Sequence, residues 1–235
     1  MPRTVKEEAY NAKRNEILDF AMGLIYSKGY ERMTIQDILD GLQISRGALY
    51  HYFDSKKAIL EALVDRMGSA AERAILPIIE DPDLSALEKF NRYFEAAAYW
   101  KKTQKELILS LLSMWFSDEN AFIRQKMTTA TLTRTSHLFV PMIYQGIEEK
   151  VFTTQFPEET AVIISGVFLT FTDTLVARIL APDGGLVSTQ EFGSLLDAHV
   201  DAIERILGAP SGSLKVIKAD DFKDWLVASQ PDTEM

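Results

Sequence analysis

The sequence predicts an all-α protein in which a small N-terminal three-helix unit is followed by a larger helical domain. Three observations predict it. Apolar residues recur at helical spacing from one end to the other, with no convincing run of strand-like alternation. Glycine and proline, 12 and 8 in 235 residues, are sparse for an all-β chain. Between Thr34 and Phe53, two short amphipathic segments are joined by a tight connection of a few residues.

The helices follow in order. Ile17, Phe20, Ala21, Leu24 and Ile25 share one face, and Gly29 after Lys28 is a C-terminal stop. Thr34 with Asp37 forms a capping box, and Ile35, Ile38, Leu39 and Leu42 give a stripe on a helix of barely two turns. Gln43 and Ile44 make the connection, and Ser45 caps a third helix. Asp54 or Ser55 caps a fourth, striped by Ile59, Leu60, Leu63, Val64 and Met67. Pro77 and "EDPD" at 80–83 interrupt the pattern, and Ser85 with Glu88 opens the next helix. Further helices are predicted at about 105–116, 120–150, 157–180 and 189–207, with a kink at Pro141. The expected divisions are 1–67, with a short N-terminal arm, then 68–208, and a linker and tail at 209–235.

Composition narrows the function. With 47% hydrophobic and 25% charged residues the chain is an ordinary globular one. The lack of cysteine excludes disulfides, thiolate metal sites and cysteine nucleophiles. "MPRTVKEE" lacks the apolar core of a signal peptide, and the run 161–171 is too short to span a bilayer, so a cytoplasmic protein without a membrane partner is expected. The net charge of −9 argues against nucleic acid only until it is divided: residues 1–60 carry nine Lys or Arg against eight acids, so the acidity belongs to the remainder.

The third helix has an unusual surface. At about 100° per residue, Leu49 and Phe53 point one way as core anchors. The opposite face is Gly47, Ala48 and His51, flanked by Arg46, Tyr50 and Tyr52. Small residues let a helix backbone come close to its target, and a polar aromatic rim supplies hydrogen bonds; a DNA major groove fits both. Lys56 and Lys57 occupy the first turn of the fourth helix, where the dipole favours anions, which is explained if a phosphate docks there. Thr34 offers the same chemistry at the second helix start. Each residue alone also fits a core or solvated position; the conjunction favours a helix-turn-helix.

"TIQDILDGLQISRGALYHYFDSKKAILEAL", Thr34 to Leu63, closely resembles the DNA-binding domain of the TetR family of bacterial transcriptional regulators, and "ILDFAMGLIYSKGYERMT" resembles that family's first helix. The likeness covers roughly residues 10–67. It implies base recognition by Arg46, Gly47, Ala48 and His51, and phosphate contacts by Thr34, Tyr50 and Lys56. With Ser45 as cap, and Tyr52 and Lys57 beside them, these form the expected double-stranded DNA site. The resemblance further implies an all-α dimer that represses until a small-molecule effector, here unidentified, binds the second domain.

In that resemblance the last two long helices of each subunit form a four-helix bundle across a two-fold axis. The matching segments open at Pro157 and near Ser188, and the residues placed at the expected homodimer interface are Val162, Gly166, Phe192, Leu195, Leu196, His199, Ile203 and Ile206. The same stripe also fits an intramolecular core. For the effector pocket the residues are Trp100, Met114, Trp115, Thr131, His137, Phe139, Tyr144 and Asp173, a region whose aromatic and Met side chains a solid core explains more often than a pocket does. Asp173, inside an apolar helix, pairs with Arg178, bonds across the dimer or faces a ligand. His51, His137 and His199 lack metal-ligand spacing, and no nucleophile elbow or phosphate loop is present. No catalytic residue, metal or cofactor is expected.

Overall fold

The computed structural model describes residues 3–106, 108, 121–179 and 188–215. Among them are eight helices and no strand: α1 (Arg3–Lys28), α2 (Ile35–Leu42), α3 (Arg46–Tyr50), α4 (Lys56–Ile79), α5 (Ala86–Thr103), α6 (Ala121–Glu148), α7 (Pro157–Ile179) and α8 (Thr189–Leu207). The helix expected at 105–116 and the tail from 216 onward lie largely or wholly outside the described residues.

The chain divides into two compact units, Met1–Ala70 with Gln104–Met127, and Ala71–Thr103 with Thr128–Met235. The division falls inside α4, three residues beyond the expected boundary, and the described residues among 104–127 group with the first unit rather than the second. There is no separate N-terminal arm from residue 3 onward, because α1 begins at Arg3. Pro77 lies within α4, which continues to Ile79, since a proline in the closing turn removes only one late ladder bond. The range of α6 likewise runs through Pro141.

The first unit is built around Ile17, Leu18, Ala21 and Ile25 of α1, Ile38 and Leu39 of α2, Leu49 of α3 and Ile59, Leu60 and Leu63 of α4, all buried. Its short helices are fixed by local bonds at their ends. Thr34 and Asp37 form a reciprocal capping box, and Gln43 closes α2 in the left-handed conformation at φ 51°. The Ser45 hydroxyl accepts from the Ala48 amide at 3.2 Å, and the Ser55 hydroxyl from the Ala58 amide at 3.1 Å. Four polar side chains thus set where α2, α3 and α4 begin.

The second unit has an aromatic centre. Phe90 and Phe94 of α5 meet Phe139 of α6 and Phe168 of α7, and the Phe94 and Phe168 rings stack 4.4 Å apart. Ser85 and Glu88 cap α5, and Ser188 and Glu191 cap α8. The stretch expected to be a linker after residue 208 is instead pinned. The buried Glu204 carboxylate accepts from the amides of Gly212 and Leu214, each at 2.8 Å. Asn91 brackets Ser213 and Lys215, and Leu214 enters the core.

Candidate nucleic-acid interface

Leu49 and Phe53 lie on the inner face of the α3 segment, at 0% and 4% exposure, and hold it to the first unit's core. Burying two such side chains contributes about 1.5–3 kcal/mol each, which is needed because a five-residue helix cannot sustain itself. Their burial fixes what points out. Arg46, Gly47, Ala48, Tyr50 and His51 are exposed, together with Ser45, and Tyr52 is half-buried. The outer face therefore has a shallow floor at Gly47 and Ala48, with a cation, a phenol and an imidazole around it. A methyl group added at Gly47 would meet nothing closer than the Ser45 hydroxyl at 4.0 Å, so the protein's own packing does not require this glycine.

The rim differs from the expectation at three points. Lys56 donates from Nζ to the Glu31 carbonyl at 3.0 Å and lies 4.2 Å over the Tyr30 ring. Burial holds this ammonium below the usual lysine range, against the pull of Glu31. Its charge is thus largely committed to bracing the α1–α2 turn against the start of α4, leaving Lys57 as the exposed cation there. Thr34 donates its hydroxyl proton to Asp37 at 2.7 Å and accepts from the Asp37 amide, so that hydroxyl is engaged within the capping box. Tyr10, outside the helix-turn-helix segment, packs its ring 4.8 Å from Tyr52 and 5.6 Å from His51. Only its position two helical turns before Ile17, on the same face, hinted at this.

The second unit sorts the remaining expectations. Phe192, Leu196 and Ile203 are buried in the subunit's own core and are not part of an outward dimer face. Periodicity located the stripe but not its partner. His199 lies against Phe171 at 5.4 Å, and its Nδ1 is 2.7 Å from the Leu195 carbonyl; Ile206 is half-buried on the same core. Outward-facing are Val162 at 47% and Ile163 at 52% exposure, with half-buried Gly166 and Leu195. The span Pro157–Arg178 is, by length and composition, long and apolar enough to cross a membrane, unlike the shorter run 161–171. Its apolar residues divide between the core, at Ala161, Ile164, Phe171 and Leu175, and the exposed pair.

The residues expected to form a pocket do not converge. Phe139 is fully buried in the aromatic centre, whereas Thr131, His137, Tyr144 and Asp173 are exposed and Trp100 is half-buried. The charge of the Glu158 carboxylate pushes the Tyr144 pKa up, helped by desolvation and by the hydrogen bond that Tyr144 donates to it at 3.2 Å. Met114 and Trp115 lie outside the described residues. An open cleft of about 430 Å³ is lined by Arg178, Gln190, Glu191, Ser194, Leu195 and Ala198, and it shares no residue with that set.

A short helix anchored by Leu49 and Phe53, capped by Ser45 and turned outward on a small-residue face, has the architecture of the helix-turn-helix class. Residues 17–63 match the family model described as "Bacterial regulatory proteins, tetR family", from the core face of α1 to Leu63 in α4. Over that segment the chain is similar to the regulators of that family, and the relatives it matches are transcriptional regulators rather than enzymes. It is 24% identical over 201 residues to the HTH-type transcriptional repressor KstR2 of Rhodococcus jostii, covering 80% of this chain and 91% of the relative. It is 30% identical over 115 residues to the HTH-type transcriptional repressor Rv1474c of Mycobacterium tuberculosis, covering 47% of this chain and 57% of the relative. Among solved structures, a transcriptional regulator from Cytophaga hutchinsonii shares the fold at TM-score 0.60 and 16% identity, over 83% of this chain and 97% of that one. A tetR-family regulator from Pectobacterium atrosepticum does so at 0.59 and 18%, over 89% and 100%.

Proposed function

We propose that the protein is a ligand-responsive repressor that binds a palindromic operator as a dimer and is released by a small-molecule effector. The observation that carries the DNA half is the outward face of α3, with Arg46, Gly47, Ala48 and His51 over the buried anchors Leu49 and Phe53. Arg46 and His51 read base edges while Gly47 and Ala48 allow the backbone into the groove. Tyr50, Tyr52, Lys57 and the amides at the starts of α2 and α4 grip phosphates. Lys56 acts through its brace on the α1–α2 turn.

Dimerisation uses the exposed Val162 and Ile163 and the half-buried Gly166 of α7 with the half-buried Leu195 of α8, which gives the apolar surplus of α7 a second copy to bury against. A single reading head recognises too few base pairs for useful selectivity, and a two-fold pair doubles them. The repressor sign is supported by the relatives named as repressors. Effector binding in the second unit acts through α4, which begins at Lys56 in the first unit and ends at Ile79 in the second. A shift of α4 changes the spacing of two recognition helices and releases the operator. The work is done in the cytoplasm, where the DNA is. A second reading, response to a protein signal, is favoured by Phe139, which is fully buried inside an aromatic cluster.

Selection of bound duplexes from random DNA with the purified full chain tests the reading. A two-fold symmetric site is expected, with Arg46→Ala relaxing preference at particular positions. Recovery of no enriched sequence, or of asymmetric half-sites only, refutes it.

A further inference from the structure

We propose that the first two turns of α1 form a second DNA-contacting element, in which Lys6 binds a phosphate beside the groove that α3 enters. The inference rests on the DNA-binding reading and extends it beyond the helix-turn-helix segment. Three observations point to it. First, Tyr10 of α1 packs against His51 and Tyr52, the outer end of the recognition segment, with centroids 5.6 and 4.8 Å away. One turn later Arg14 lies 5.1 Å over the Phe53 ring, so α1 runs alongside that segment for at least a turn.

Second, the charges on this part of α1 are sorted by face. At about 100° per residue, Lys6, Tyr10, Lys13 and Arg14 all fall within about 60° of the fully buried Ile17. Glu8 lies on the opposite side, and Glu7 about 80° away. The face that meets the core at Ile17 therefore continues past the core as an aromatic and cationic ledge.

Third, among the described residues the ledge has one cation that none of them engages. Lys13 pairs with Glu16 at 2.8 Å and Arg14 covers Phe53, but Lys6 is exposed. It lies one turn, about 6 Å of helix, beyond the tyrosine that touches His51. A groove about 12 Å wide is bordered by phosphates on both sides, so a cation just past the end of a helix seated in it meets the backbone rather than a base edge. Lys6 thus adds affinity and register without adding base preference. Tyr10 is a positioning residue that holds α1 to the end of the recognition segment.

The test is fluorescence-anisotropy titration of the enriched duplex with full-length variants at several potassium chloride concentrations. Lys6→Ala is expected to weaken binding several-fold and to lower the slope of log affinity against log salt by about one, with base preference unchanged. Lys6→Arg is expected to restore both. Tyr10→Phe should bind as the parent does, and Tyr10→Ala should lose affinity while keeping its base preference. An enriched duplex that Lys6→Ala binds with the parent's affinity and slope overturns this inference and leaves the helix-turn-helix reading intact. A parent protein that enriches no duplex removes both.

Discussion

The ring of Phe20, on α1, lies directly against the backbone of Gly41, on α2, so that a β-carbon at Gly41 would overlap the ring. This contact sets how closely the first two helices approach. Gly41→Ala is expected to lower the unfolding free energy by about 1–3 kcal/mol, as overpacking does. Phe20→Leu should recover part of that loss in the double variant, because the two positions share one space. Urea denaturation of the three variants checks it; additive losses would contradict the packing argument.

Gly47 makes the opposite case. Nothing in the protein crowds it, and alanine suits a helix better than glycine by about 0.5–1 kcal/mol. Gly47→Ala should therefore fold at least as stably as the parent yet bind the operator at least tenfold more weakly, because the methyl group stands where the backbone meets the groove. Unchanged affinity would mean that α3 does not approach DNA on this face.

Lys56 and Lys57 are neighbours with different expected roles. Lys56→Met keeps the stem over Tyr30 but loses the donor to Glu31, and should cost about 1 kcal/mol of stability. Lys57→Ala, at an exposed position, should leave the melting temperature unchanged while lowering the salt dependence of DNA binding by about one ion. Thermal melts and salt titrations on the same preparations separate them, and identical behaviour of the two variants would refute the division.

Asp37 links pH to the start of α2. Its carboxyl is held down to about 2, first by the hydrogen bond from Lys28 and then by those from the hydroxyl and amide of Thr34. A carboxyl depressed on folding stabilises the protein above its ordinary value near 3.8 and loses that contribution as pH falls toward 2. The melting temperature should thus fall between pH 4 and pH 2. Asp37→Asn should be less stable at pH 7, show a shallower fall, and converge with the parent near pH 2. Parallel curves would show that the capping box does not depend on the charge.

The helix starts were legible because their causes are local. Thr34 with Asp37, Ser45, and Ser85 with Glu88 each sit within one turn of the amide they serve, and spacing alone revealed them. The inner and outer faces of the α3 segment were legible for the same reason, since Leu49 in the helix and Phe53 just beyond its end are one turn apart. Pairings across distance were not. Nothing near Lys56 indicates that the Glu31 carbonyl will reach it, and nothing near Glu204 predicts two amides arriving from beyond the helix end. The α8 stripe shows the limit of periodicity: Phe192, Leu196 and Ile203 were recognisable as a packing face, but the surface they meet is the subunit's own.

Glu204 also bears on how this sequence can drift. Its carboxylate binds main-chain amides, which every residue but proline carries, so those bonds place little demand on the side chains at 212 and 214. The demands there come from elsewhere: Gly212 has φ 74°, and Leu214 fills part of the core. Pro210 and Ser211 are free to vary by comparison. Glu204 is not, because the two amides bond to its two separate oxygens, and even Gln keeps only one acceptor for them. The tolerance of the segment is thus settled by a residue on the preceding helix, and a family alignment should show variable letters at 210 and 211 between fixed ones at 204, 212 and 214.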